Sequence, residues 1–81
     1  MHRRDFPGHA VWTETRINGD HVLAFVAIQP HDSQTDPSLH QVYDRTYFTR
    51  QSDALEAAKE ALSKLLHIDE RGQPVFSSAD C

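Results

Sequence analysis

Between His9 and Ile17 the side chains alternate in character, with Val11, Thr13, Thr15 and Ile17 on one parity and Trp12, Glu14 and Arg16 on the other. A repeat of two puts successive residues on opposite faces of an extended chain and predicts a strand over residues 9–17. Asn18-Gly19 follows, a pair that accepts the positive φ angles of a type I′ turn, whose twist suits a hairpin. The returning run, Val22 to Ile28, is apolar at every position. The strand predicted over residues 21–29 therefore wants cover on both faces and belongs in the middle of a sheet. Pro30, Asp32, Ser33, Asp36, Pro37 and Ser38 mark residues 30–40 as an exposed loop. Alternation resumes over residues 41–49, with Val42, Thr46 and Phe48 opposite Tyr43, Arg45 and Tyr47, and predicts a third strand.

The period then changes to that of a helix. Over residues 52–68, Ala54, Leu55, Ala57, Ala58, Ala61, Leu62, Leu65 and Leu66 share one side, and Glu56, Lys59, Glu60, Ser63, Lys64 and His67 the other. Asp53 and Glu56 have the spacing of a capping box, and Glu60 and Lys64 that of a favourable i,i+4 pair. Arg71-Gly72-Gln73-Pro74 closes the segment, and Val75-Phe76 is placed to fold back on the core. Residues 1–8, bent by Pro7-Gly8, read as a flexible arm, and residues 77–81 as a polar tail. The expected fold is α+β: a three-stranded antiparallel sheet of β-β-β-α order with one C-terminal amphipathic helix packed on one face, in a single domain.

Pairing through the Asn18-Gly19 turn puts Val11, Thr13, Thr15 and Ile17 on the face of Val22, Ala24, Val26 and Ile28, which should receive the helix. The other face is left with an aromatic, arginine-bearing set: Trp12, Arg16, Leu23, Phe25, Tyr43, Arg45 and Tyr47. One helix cannot cover both faces, and an open apolar patch marks an interaction site. Three occupants suit it: a second copy in a homodimer, the chain's own residues around Phe6 or Phe76, or a protein partner, ligand or single-stranded nucleic acid.

Charge narrows this choice. The chain of 81 residues has a formal net charge of -4 and scattered basic residues, which disfavours nucleic acid and anionic membranes. Cys81 is the only cysteine, so no intrachain disulfide forms, and no apolar stretch reaches the ~20 residues of a membrane span. A cytoplasmic location is expected. His31, Asp32, Asp36 and His40 offer metal-ligating atoms in one loop, but their spacing follows no recognised ligand pattern, and solvated loop residues are expected instead. His67 suits the C-terminal end of the helix dipole. No serine stands in a Gly-x-Ser-x-Gly setting and glycines are too few for a phosphate-cradling loop. No catalytic residues, metal or cofactor are therefore expected, and the chain reads as a non-enzymatic interaction module.

Two resemblances accompany this reading. Gly8-His9-Ala10-Val11, then Asn18-Gly19, then Tyr47-Phe48-Thr49 before Asp53-Ala54-Leu55-Glu56-Ala57-Ala58 resembles small bacterial domains of strand-strand-strand-helix form, which carry no assigned activity. The stretch from Asp53 to Leu62, followed by Asp69-Glu70-Arg71-Gly72-Gln73-Pro74-Val75, is similar to HicB-like antitoxins, in which a three-stranded sheet precedes such a helix. That resemblance implies a small toxin as the protein partner.

Overall fold

The structure is a computed structural model that describes residues 3–32 and 36–77. Strands β1 (Arg3–Phe6), β2 (His9–Asn18), β3 (His21–Pro30) and β4 (Ser38–Val42) form one antiparallel sheet in sequential order. Helix α1 (Gln51–Lys64) follows, and then β5 (Leu65–Ile68) and β6 (Pro74–Phe76), which pair as a separate two-stranded sheet. The α+β class, the antiparallel sheet and its single helix agree with the sequence reading. The number of strands does not.

The hairpin forms as the Asn18-Gly19 turn dictates, with Gly19 at φ 66° and Asn18 opposite His21. In this register Val11 faces Ile28, Thr13 faces Val26, Thr15 faces Ala24 and Ile17 faces Val22, so one parity of both strands turns toward the helix. Ala54, Ala58, Ala61 and Leu62 close over that face and, with Leu65, are buried together with Val11, Val22, Ala24, Val26, Ile28 and Val42. The helix alanines let its backbone lie close to the β-branched side chains beneath them.

Residues 3–6 of the expected flexible arm are instead an edge strand. Pro7-Gly8 turns the chain directly from β1 into β2, with Gly8 at φ 81° and Phe6 opposite His9. The polar look of Arg3-Arg4-Asp5 hides why it is held. Phe6 is buried in the core, and the Arg4 guanidinium donates to the Leu62 and Leu65 carbonyls at 2.7 and 2.9 Å where the helix ends, the Leu62 carbonyl also accepting from the Leu65 N–H. The same guanidinium lies 4.8 Å from the Phe6 ring centre.

The expected third strand over residues 41–49 is also displaced. It starts earlier, at Ser38 inside the predicted loop, and stops at Val42, because Tyr43 takes a left-handed conformation with φ 51° and opens a turn closed by Thr46 N–H donating to the Tyr43 carbonyl. The chain rejoins β3 at a single bridge, where Val22 N–H donates to the Phe48 carbonyl at 2.8 Å.

The helix is shorter than the predicted 52–68, and the capping box does not form. Arg50 is the N-cap and makes no side-chain cap bond, while Asp53 stands in the first turn, where its charge still favours the helix dipole. At the other end Leu65 is extended, and residues 65–68 run into β5. The β5–β6 turn explains the change. The Asp69 carboxylate accepts from the Arg71 and Gln73 backbone N–H groups at 2.9 Å each, Gly72 sits at φ 79°, and Ser77 N–H donates to the Lys64 carbonyl. Phe76 thereby folds onto the core as the sequence suggests. Residues 78–81 of the predicted tail, with Cys81, lie outside the described residues.

Candidate functional site

The sheet face away from α1 is built by the second parity of the strands. Its residues form cross-strand rows: Arg3, Trp12, Ala27 and Leu39; then Glu14, Phe25 and Gln41; then Arg16 and Leu23; and, at the other end, Asp5, Ala10 and Gln29. Trp12, Leu23 and Phe25 are half-buried and Leu39 is exposed. Ala27, small and flanked by Trp12 and Leu39, has no exposed surface at all. The result is an apolar centre on a face with no helix above it.

Trp12, Glu14 and Arg16 are paired within their own strand. Trp12 Nε1–H donates to Glu14 Oε1 at 2.9 Å, and Arg16 Nη1 donates to Glu14 Oε2 at 2.9 Å, a ladder along alternate residues of β2. These two bonds, the one from Arg16 foremost, hold the Glu14 carboxyl below the usual carboxylate range. At the β1 edge Arg3 pairs with Asp5 at 3.1 Å. Two arginines against two carboxylates leave the face electrically balanced on a chain that carries a net charge of -4.

Of the seven residues singled out in the sequence, the structure brings Trp12, Arg16, Leu23 and Phe25 together on this face. Tyr43, Arg45 and Tyr47 are not part of it, because the strand that was to align them ends at Val42. Tyr43 packs against the helix-side core, its hydroxyl accepting from Lys64 Nζ at 3.3 Å. That contact, with the Glu60 carboxylate beside it, raises the Lys64 pKa. Arg45 lies exposed in the turn after Tyr43. Tyr47 lies beside the hairpin turn, its hydroxyl donating to Asp20 Oδ1 and its ring centre 4.5 Å from that of His21.

Leu39, Arg3 and Asp5 belong to the face and were missed. Leu39 was hidden by Pro37 and Ser38, which read as loop, although Leu39 and Gln41 already share the parity that the face requires. For Arg3 and Asp5 the only signal is their alternation with Arg4 and Phe6, too short to register as a strand.

Chemistry elsewhere is sparse. The Asp20, His21 and Tyr47 cluster fastens residues 46–49 to the hairpin: Asp20 Oδ1 takes the Tyr47 hydroxyl and His21 Nδ1, while His21 Nε2 lies 3.4 Å from Asn18 Nδ2. Every polar atom of the imidazole is engaged, which leaves none aimed at a substrate. His40 faces the helix side opposite Val26, and burial pushes its pKa down. Among the described residues no group of three or more histidines, cysteines or carboxylates stands together to hold a metal ion, and no helix is long and apolar enough to cross a membrane. No protein-family model, curated protein or solved structure matches this chain.

Proposed function

We propose that this protein is a non-enzymatic interaction module that self-associates through the open sheet face, two copies meeting about a two-fold axis. One observation carries the reading. Trp12, Leu23, Phe25 and Leu39 form a continuous, partly exposed apolar centre on the side of the sheet opposite the helix.

The chemistry of the face supports a second copy over other occupants. Trp12 Nε1–H and the charged groups are already satisfied within the chain, so an occupant needs to bring apolar surface rather than hydrogen-bonding groups. A balanced face does not repel its own copy, whereas the remaining surface of an acidic chain does. The extent is modest. With strands of 10 residues at β2 and β3 and shorter ones at the edges, the flat face covers on the order of 500 Å². Permanent dimers bury ~800 Å² or more per partner, so the association is reversible and depends on concentration.

Trp12 is the only tryptophan and lies within the contact, which makes its fluorescence a specific reporter. Concentrating the protein should shift its emission to shorter wavelength as the indole loses water, and added salt should leave the midpoint nearly unchanged. An emission spectrum independent of concentration in a sample that stays folded would count against self-association through this face.

A further inference from the structure

The two outer strands of the four-stranded sheet are of opposite character. β1 carries Arg3, Arg4 and Asp5, whose charges and pairings guard its edge in the way edge strands are usually protected. β4 reads Ser38-Leu39-His40-Gln41-Val42 and contains no Asp, Glu, Lys, Arg or Pro. Its histidine stands in a partly buried position where the neutral imidazole is favoured. β4 ends the sheet order, and among the described residues no backbone hydrogen bond reaches it from the side away from β3. An antiparallel strand sends the N–H and C=O groups of alternate residues outward, so this edge presents a ladder ready for another strand.

We infer that the outer edge of β4 pairs antiparallel with β4 of a second copy, joining two four-stranded sheets into one. This contact lies at the edge of the sheet and does not depend on the open face described above.

Sheet continuity selects the register. Residues directly opposite one another must point to the same face, which for a symmetric pair allows only centres on Leu39, His40 or Gln41. Centring on His40 alone pairs the whole strand: Ser38 with Val42, Leu39 with Gln41 and His40 with itself. No like charges meet in this arrangement, whereas the same pairing of β1 would crowd its arginines. Leu39 of each copy also continues the apolar centre of the open face across the seam.

The test is hydrogen exchange of the wild-type protein and of Phe25→Asp, each in dilute and in concentrated samples. Phe25 lies on the open face of a central strand, so its replacement removes the face contact and leaves the edge. Alternate amides of residues 38–42 should exchange about tenfold more slowly in the concentrated sample, in both proteins. In a Cys81→Ser background, His40→Cys should oxidise to a disulfide-linked dimer, because His40 faces its own copy only in the edge pairing. Exchange of β4 amides that ignores concentration, protection that vanishes in Phe25→Asp, or a folded His40→Cys protein that stays monomeric on oxidation would each overturn the inference.

Discussion

The two faces of the central β2–β3 hairpin come from the same two strands, yet they solve opposite problems. On the helix side Val11, Val26 and Ile28 are almost wholly buried beneath the alanines of α1. On the other side Trp12 and Phe25, larger and more apolar in area, keep part of their surface in water. Size and hydrophobicity therefore do not decide which residues of β3 form the core. For the large side chains strand parity does, because the helix supplies cover for one parity only, while Ala27 of the other parity is buried between Trp12 and Leu39.

Adjacent substitutions break this comparison most sharply. Val26→Asp puts a charge under the helix with no partner and should cost roughly 4 kcal/mol or more, enough to unfold a domain of this size. Phe25→Asp, one residue earlier on the open face, sets its carboxylate in water opposite Glu14 and should cost roughly 1–2 kcal/mol, less than half the loss at Val26, with circular dichroism near wild type. Equal losses at the two positions would contradict the asymmetry.

Arg4→Ala comes next in size. It removes two hydrogen bonds to the end of α1 and should lower stability by roughly 1–2 kcal/mol in urea unfolding, with the earliest loss at the ends of β1 and α1. The matching change at Arg3, which is paired only on the surface with Asp5, should cost less than about 0.5 kcal/mol.

The pH response is smaller and belongs to the helix side. Burial lowers the His40 pKa below the ordinary value, so the unfolded chain binds more protons in the window beneath about pH 6.5. Stability should be fully present above that window and decline as pH falls through it. In His40→Gln the slope in this range should flatten. The acid loss at lower pH, where the depressed Glu14, Asp20 and Asp69 carboxyls titrate, should remain. Thermal unfolding across pH 5 to 7.5 would show both.

Smallest of all, Glu14→Gln weakens the ladder that orients Trp12 and should change stability by less than about 0.5 kcal/mol. Its signature is a change in Trp12 emission in dilute solution.

Much of this contrast was readable before any coordinates. Alternation from His9 to Ile17, the Asn18-Gly19 turn and the apolar run to Ile28 define the hairpin and both of its faces. The amphipathic stretch from Ala54 to Leu62 defines the helix and its buried side. What escaped was held by contacts distant in the chain. β1 is too polar to register as a strand because Arg4 is stabilised by helix carbonyls about sixty residues away. The end of β4 depends on the left-handed backbone of Tyr43, a conformation that its side chain does not announce. Leu65 and Leu66 keep helical spacing, but the Asp69 turn draws them into a hairpin. The open face was therefore legible at Trp12, Arg16, Leu23 and Phe25, where local pattern and register coincide, and not at Tyr43, Arg45 and Tyr47, whose placement required an uninterrupted strand.

Sedimentation equilibrium of the wild-type protein beside Phe25→Asp tests the central claim most directly. The account predicts a reversible, concentration-dependent gain in mass for wild type and a folded Phe25→Asp protein of lower association order under the same conditions. Superimposable profiles for the two folded proteins would contradict it.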